Sequence, residues 1–201
     1  MENRLIEGII ELCREEAPEL NRLDGLQGDG DMGITVGLMA DALTEVLPEA
    51  ADLKSFMKAA GNKVRRMAPS TLGVLTAFAL TAASRVLPEG EVSVSELAAM
   101  QKAMADEMSA RGGASEGDRT VLDALIPAAR AFGEAADAGK TAGEALSAAA
   151  EAAAAGAEAT RKMSPKTGRA SWVGERVIGE IDGGAYFCGK IYGRLHAEYG
   201  A

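Results

Sequence analysis

The sequence predicts an all-α protein of about eight helices forming a single domain over residues 1–201. Three observations carry that expectation. Apolar residues recur at helical spacing in almost every segment, no segment shows the sustained alternation of a half-buried strand, and Gly, Pro, Ser and Asp cluster where the periodicity lapses. With 47% hydrophobic residues, the chain is long enough to bury one core without staples.

The helices are expected near 2–16, 33–46, 51–66, 71–87, 93–110, 118–134, 140–161 and 183–199. Leu5, Ile9 and Cys13 mark the first, and Leu53, Phe56, Met57, Ala60 and Val64 the third. The fourth is apolar nearly all round (Val74, Leu75, Ala77, Phe78, Ala79, Leu80), as a central helix should be. Leu97, Met100, Met104 and Met108 mark the fifth, the methionines reading as core filler. Ala142 to Ala157 is a high-propensity run of small side chains, suited to a close-packed helix. Cys188, Ile191, Leu195 and Tyr199 mark the last. Cys13 and Cys188, far apart among apolar neighbours, read as reduced core thiols.

A net charge of -9 argues against a nucleic-acid partner, because an acidic surface without a basic stripe repels phosphates. The start, MENRLIEGIIELCREE, alternates charge with apolar residues and carries no cleavable signal pattern, and no uncharged run is long enough for a membrane span. The expected setting is the cytoplasm, without membrane contact. Negative charge gathered in one loop is nonetheless what a divalent cation requires before a polyphosphate can approach.

Four polar or glycine-rich stretches do not fit a bare bundle: 24–33, 67–73, 111–120 and 163–184. The first, LDGLQGDGDMGITVG in its wider context, brings Asp24, Asp29 and Asp31 into a loop that bends easily and leads straight into a helix. Carboxylate oxygens are the hard ligands magnesium prefers, and glycines let unevenly spaced ones converge. Taken singly, Asp31 reads as a helix cap and Asp29 as a turn former; the third aspartate favours a cation site. Gly28, Gly30 and Gly33 match a dinucleotide-binding spacing, but the residues before them (ELCREEAPEL) read as helix, not strand. An EF-hand loop beginning at Asp29 would put Ala40 where a bidentate Glu is required. Gly139-Lys140-Thr141 imitates a phosphate loop, yet Gly133 lies one residue too far away.

The GDGDMG loop, MAPSTLGVL, GDRTVLDALIPAARAF and GRASWVGERVIGEIDGGA occur in an order that resembles the nucleotide-binding L subunit, or L domain, of dihydroxyacetone kinases, from end to end of the chain. The resemblance implies an antiparallel barrel of eight helices with ADP or ATP at one rim, bridged to two magnesium ions by Asp24, Asp29 and Asp31. It places Met32, Gly33, Ile34 and Thr35 along the nucleotide, Ser70 and Thr71 at phosphate, and Gly112 and Val121 as walls of the adenine or ribose. Arg169 resembles the arginine set against the nucleotide, and Asp182 with Gly183 the turn that closes the site. The chain departs from the family pattern at Met32, where a histidine is usual, at Gly183, where a proline is common, and at PSTLG, where a Ser-Gly form is commoner. The remaining charged and aromatic residues in these loops read as structural when taken alone: Ser70 or Thr71 as helix caps, Asp118 and Thr120 as a helix start, Arg176 as a surface ion-pair partner, Trp172 as a core cover, and His196 as a solvated side chain.

No residue reads as a general base or as a covalent anchor for a ketone. In the resembled family the substrate sits on a separate K subunit, so the expectation is a kinase or phosphotransferase half that passes phosphate to dihydroxyacetone or a similar small hydroxyketone or sugar only with its partner present. A phosphotransferase-system phosphocarrier protein and a second copy of the chain are the further partners the reading admits. Its rivals are a non-enzymatic nucleotide-dependent regulator that contacts a transcription factor or another partner, and a plain helical interaction module.

Overall fold

The computed structural model describes residues 3–167 and 174–199. Eight α-helices are found among the described residues: α1 (Asn3–Gly25), α2 (Met32–Val46), α3 (Leu53–Met67), α4 (Thr71–Val86), α5 (Val94–Gly112), α6 (Leu122–Asp137), α7 (Ala142–Ala159) and α8 (Gly183–Tyr199), and no strand occurs there. Each helix packs on the next and α8 packs back on α1, so the eight close into an antiparallel barrel.

Residue size sets how closely neighbours approach. Along α7, Ala145, Ala149, Ala153 and Ala157 fall every four residues and are all buried. A Cβ on Gly156 would lie 2.0 Å from the carbonyl oxygen of Asp123, so α6 and α7 touch backbone to backbone. Gly61 does the same for α3 against α4, where a Cβ would meet Ala77 O at 2.8 Å. Larger side chains fill two core clusters. One centres on Phe132, Leu122 and Leu125 with the α7 alanines, the other on Phe56, Leu20, Val36 and Val64. Cys13 and Cys188 lie one in each and are buried, which pushes both thiols up to about 12.

Two boundaries differ from expectation. α1 runs to Gly25 and contains Pro18, although proline removes a backbone donor and crowds the preceding turn. The continuation is held by Leu20 and Leu23, which are 0% and 1% exposed. In consequence Asp24 stands on the last turn of a helix, not in a loop. α6 begins at Leu122, later than residue 118, because the intervening residues form a tight polar turn.

Antiparallel alternation puts the starts of α3, α5 and α7 at one rim and those of α2, α4, α6 and α8 at the other. The first set is closed by reciprocal side-chain caps: Asp52 with Ser55, Ser93 with Glu96 and Thr141 with Glu144. The second set is handled differently and frames a cleft.

Candidate functional site

All four stretches singled out in the sequence lead into even-numbered helices and therefore share the second rim. Residues from each of them line a cleft of about 280 Å³. At its acidic side one carboxylate oxygen each of Asp24, Asp29 and Asp31 lies within 4.8 Å of the other two. Two oxygens on opposite sides of one magnesium ion at ~2.1 Å would be ~4.2 Å apart, so the cluster suits a hard divalent cation after little adjustment.

The turn that builds this cluster is folded around Asp24, whose Oδ2 accepts the amides of Gly30 (2.8 Å) and Asp31 (3.0 Å). Its Oδ1 lies where a Cβ on Gly28 would approach to 2.7 Å, so only glycine leaves it room. Gly30 has φ +76°, a conformation costly for other residues. Asp31 occupies the N-cap of α2, yet its side chain makes no capping hydrogen bond. The capping explanation for Asp31 is thereby removed, while that for Ser70 holds: its Oγ accepts the Gly73 amide at 3.1 Å.

A second polar layer lies behind the aspartates. Arg119, 2% exposed, donates through Nη1 to Oε1 of the buried Gln27, and through Nη2 to the carbonyls of Glu180 (3.0 Å) and Val177 (3.4 Å). Gln27 Nε2 is 3.5 Å from Asp182 Oδ2. Asp182 caps α8 through Oδ1 and the Ala185 amide (2.9 Å). Burial lifts its carboxyl above the ordinary range, against the pull of that amide and of the Arg119 charge. Burial likewise lowers the Arg119 guanidinium, opposed by Asp182 and Glu180. Asp123 organises the turn beneath, accepting the amides of Gly117 (2.5 Å) and Thr120 (2.7 Å). Asp118 is not a helix start: it accepts the Ser115 amide at 2.8 Å and pairs with Lys166 at 3.2 Å.

Of the residues named from the sequence, Asp24, Asp29, Asp31, Met32, Thr35, Ser70, Thr71, Gly112, Val121 and Asp182 all line the cleft. Three others are placed differently. Gly33 packs its Cα against Ala17 O and gives its amide to Asn21 Oδ1 (2.7 Å), so it serves the crossing of α1 and α2. Ile34 is 61% exposed beside the cleft. Gly183 stands at the start of α8 against Met32, one residue before the lining residue Gly184. Arg169 and Trp172 lie outside the described residues. Gln27, Arg119 and Thr167, which the sequence did not single out, and Leu75 and Met108, which it read as core, also line the cleft. Arg119 stands two residues after Gly117 in a polar turn, where its charge reads as solvated.

The DAK2 domain family model matches residues 27–196 of this chain. The chain belongs to the DAK2 domain family. Within that family, the D-erythrulose kinase of Mycolicibacterium smegmatis is 34% identical over 90% of this chain and 32% of its own length. The ADP-binding subunit DhaL of the PEP-dependent dihydroxyacetone kinase of Escherichia coli is 31% identical over 85% of this chain and 82% of its own. This DAK2 chain thus spans about a third of the erythrulose kinase and most of the separate subunit, and it is a DhaL-type domain. The crystal structure of the dihydroxyacetone kinase of C. freundii in complex with AMP-PNP and Mg2+ superposes with a TM-score of 0.76 at 28% identity, covering 96% of this chain and 33% of that one. The native form of the same enzyme gives 0.76 at 29%. The DAK2 chain therefore shares its all-α fold with about a third of that dihydroxyacetone kinase.

Proposed function

We propose that the chain, as one domain over 1–201, is the ADP- or ATP-binding half of a dihydroxyacetone-type phosphotransferase. The observation that carries this reading is the convergence of Asp24, Asp29 and Asp31 at the mouth of a cleft framed by four helix starts. The aspartates would hold magnesium, two ions in the family reading, and the starts of α2 and α4 would face the polyphosphate, favoured there by the helix dipoles. Bound ions would neutralise phosphate charge and align donor with acceptor, the main needs of phosphoryl transfer. Leu75, Met108, Val121 and the Cα of Gly112 offer an apolar wall suited to a base or ribose. Arg169 is proposed as the nucleotide arginine on the resemblance alone.

On the resemblance, the acceptor, dihydroxyacetone or a similar hydroxyketone or sugar, is assigned to a partner K subunit. Leu26, Ile34 and Ile178 are exposed on the same rim, giving such a partner apolar footing beside the cations. Among the described residues no helix is long and apolar enough to cross a membrane.

The test is thermal melting of the chain with and without Mg-ADP, repeated with Asp29→Asn. At a hundredfold excess over the dissociation constant, stabilisation of about 2.7 kcal/mol should raise the melting temperature by roughly 5–10 °C, and the variant should lose most of it. An unchanged melting curve for the natural chain would remove the nucleotide from the proposal. Phosphate turnover with a K subunit supplied, and none without it, separates the kinase half from a nucleotide-dependent regulator. Retention of ADP through dialysis, followed by its phosphorylation by a phosphocarrier protein, would mark the phosphoenolpyruvate-dependent route over free exchange of ATP.

A further inference from the structure

Arg119 is held at a double disadvantage. Its backbone is left-handed, φ +62°, the one non-glycine in that region among the described residues, and its Nε is buried without an acceptor there. Strain and an unsatisfied donor persist only where the surroundings impose them, and they gather where a chain is built for function. The surroundings here are three separate segments. Nη1 reaches Gln27, two residues before Asp29 in the aspartate turn; Nη2 reaches the carbonyls of Val177 and Glu180, just before the α8 cap Asp182; the backbone belongs to the turn organised by Asp123. Gln27 passes the link on to Asp182. One planar guanidinium thus ties the turn carrying two of the cation ligands to the segment that leads into α8. A lysine ammonium, a point donor on a flexible stem, cannot reproduce that fork.

We infer that Arg119 is a positioning residue of the cleft: by fixing Gln27 and the 177–182 segment together, it sets the placement of the aspartate turn and so the affinity for a magnesium nucleotide. The inference rests on the proposed nucleotide site, and it concerns a residue whose guanidinium hydrogen-bonds Gln27 and the carbonyls of Val177 and Glu180. Groups that orient metal ligands from behind typically change affinity 10–100-fold when removed.

The experiment compares the full chain with Arg119→Lys, Arg119→Met and Gln27→Leu, measuring melting without ligand and titration with Mg-ADP by calorimetry. The natural chain is the control for the site: if it does not bind Mg-ADP, the nucleotide reading falls and this inference falls with it. If it binds, each folded variant is expected to bind roughly 10–100-fold more weakly, including one whose ligand-free melting temperature matches the natural chain. Arg119→Lys is expected to recover stability more than affinity, a split that a merely structural role would not give. Should Arg119→Met fail to fold, Gln27→Leu cuts one arm while leaving the contacts to Val177 and Glu180. Natural affinity in any folded variant of the three, or affinity that tracks stability across all of them, would overturn the assignment.

Discussion

The Cβ that Gly183 lacks would lie 3.1 Å from the sulfur of Met32, where the first residues of α8 and α2 meet beside the cleft. Both positions depart from the pattern the chain resembles. Far apart in sequence, they form one local change: a long flexible thioether occupies the space over a bare α-carbon. Gly183→Ala should therefore affect stability and binding in opposite senses. Alanine is favoured over glycine in a helix by roughly 0.5–1 kcal/mol, and the thioether can give way at small cost, so the melting temperature should hold or rise. The displaced Met32 enters the cleft, so Mg-ADP should bind several-fold more weakly. Met32→Ala in the same chain should restore binding, with a coupling of about 0.5–3 kcal/mol in the double-mutant cycle measured by calorimetry.

Asp24 and Asp29 share a cation cluster but not a structural task. Asp24 also holds the amides of Gly30 and Asp31, whereas Asp29 is exposed. Both Asp24→Ala and Asp29→Ala should abolish the Mg-ADP shift. Without ligand, Asp24→Ala should cost about 1–3 kcal/mol through two orphaned amides. Asp29→Ala, at an exposed position, should cost less than Asp24→Ala. Denaturant melts of the two variants check the contrast; equal losses would mean that Asp24 does not organise the turn.

How much of this was legible beforehand follows from what kind of signal each part leaves. The helices announce themselves by period, because each must bury a stripe, and the acidic turn announces itself by composition. The end of α1 does not. Pro18 reads locally as a stop, and only burial of Leu20 and Leu23 carries the helix on to Asp24. Gln27 and Arg119 were hidden for a related reason: polar side chains in polar loops read as solvated, and their burial arises only when segments 92 residues apart meet. The contact of Met32 with Gly183 is equally nonlocal.

The scaffold and the cleft meet at Gly156. A side chain there would press on the backbone of Asp123 at 2.0 Å, and backbone cannot rotate away. Asp123 in turn sets the amides of Gly117 and Thr120 beneath the cleft. Gly156→Ala should destabilise the chain by about 1–3 kcal/mol or more, lowering the melting temperature by several degrees. It should also weaken Mg-ADP binding from outside the cleft. Calorimetric melting and titration of the same sample check both; a stable variant with natural affinity would mean that α6 and α7 separate freely without disturbing the turn.

Asp182 makes the ligand-free chain sensitive to pH in a definite direction. Burial raises its carboxyl, with Asp123 adding to the rise, while the Ala185 amide, Arg119 and Gln27 oppose it. The folded chain therefore holds this proton more tightly than the unfolded chain does. The associated stability is complete below the ordinary value of 3.8 and is lost as pH rises through the elevated folded value. Asparagine keeps an oxygen for the Ala185 amide but has no proton to lose. Asp182→Asn should accordingly melt progressively higher relative to the natural chain as pH climbs from the ordinary carboxylate range toward neutrality. The difference, measured by calorimetry across that range, should level off once Asp182 is fully ionised. A difference independent of pH would show that the ionisation of Asp182 does not couple to folding. In that case the Ala185 amide, Arg119 and Gln27 together offset the burial.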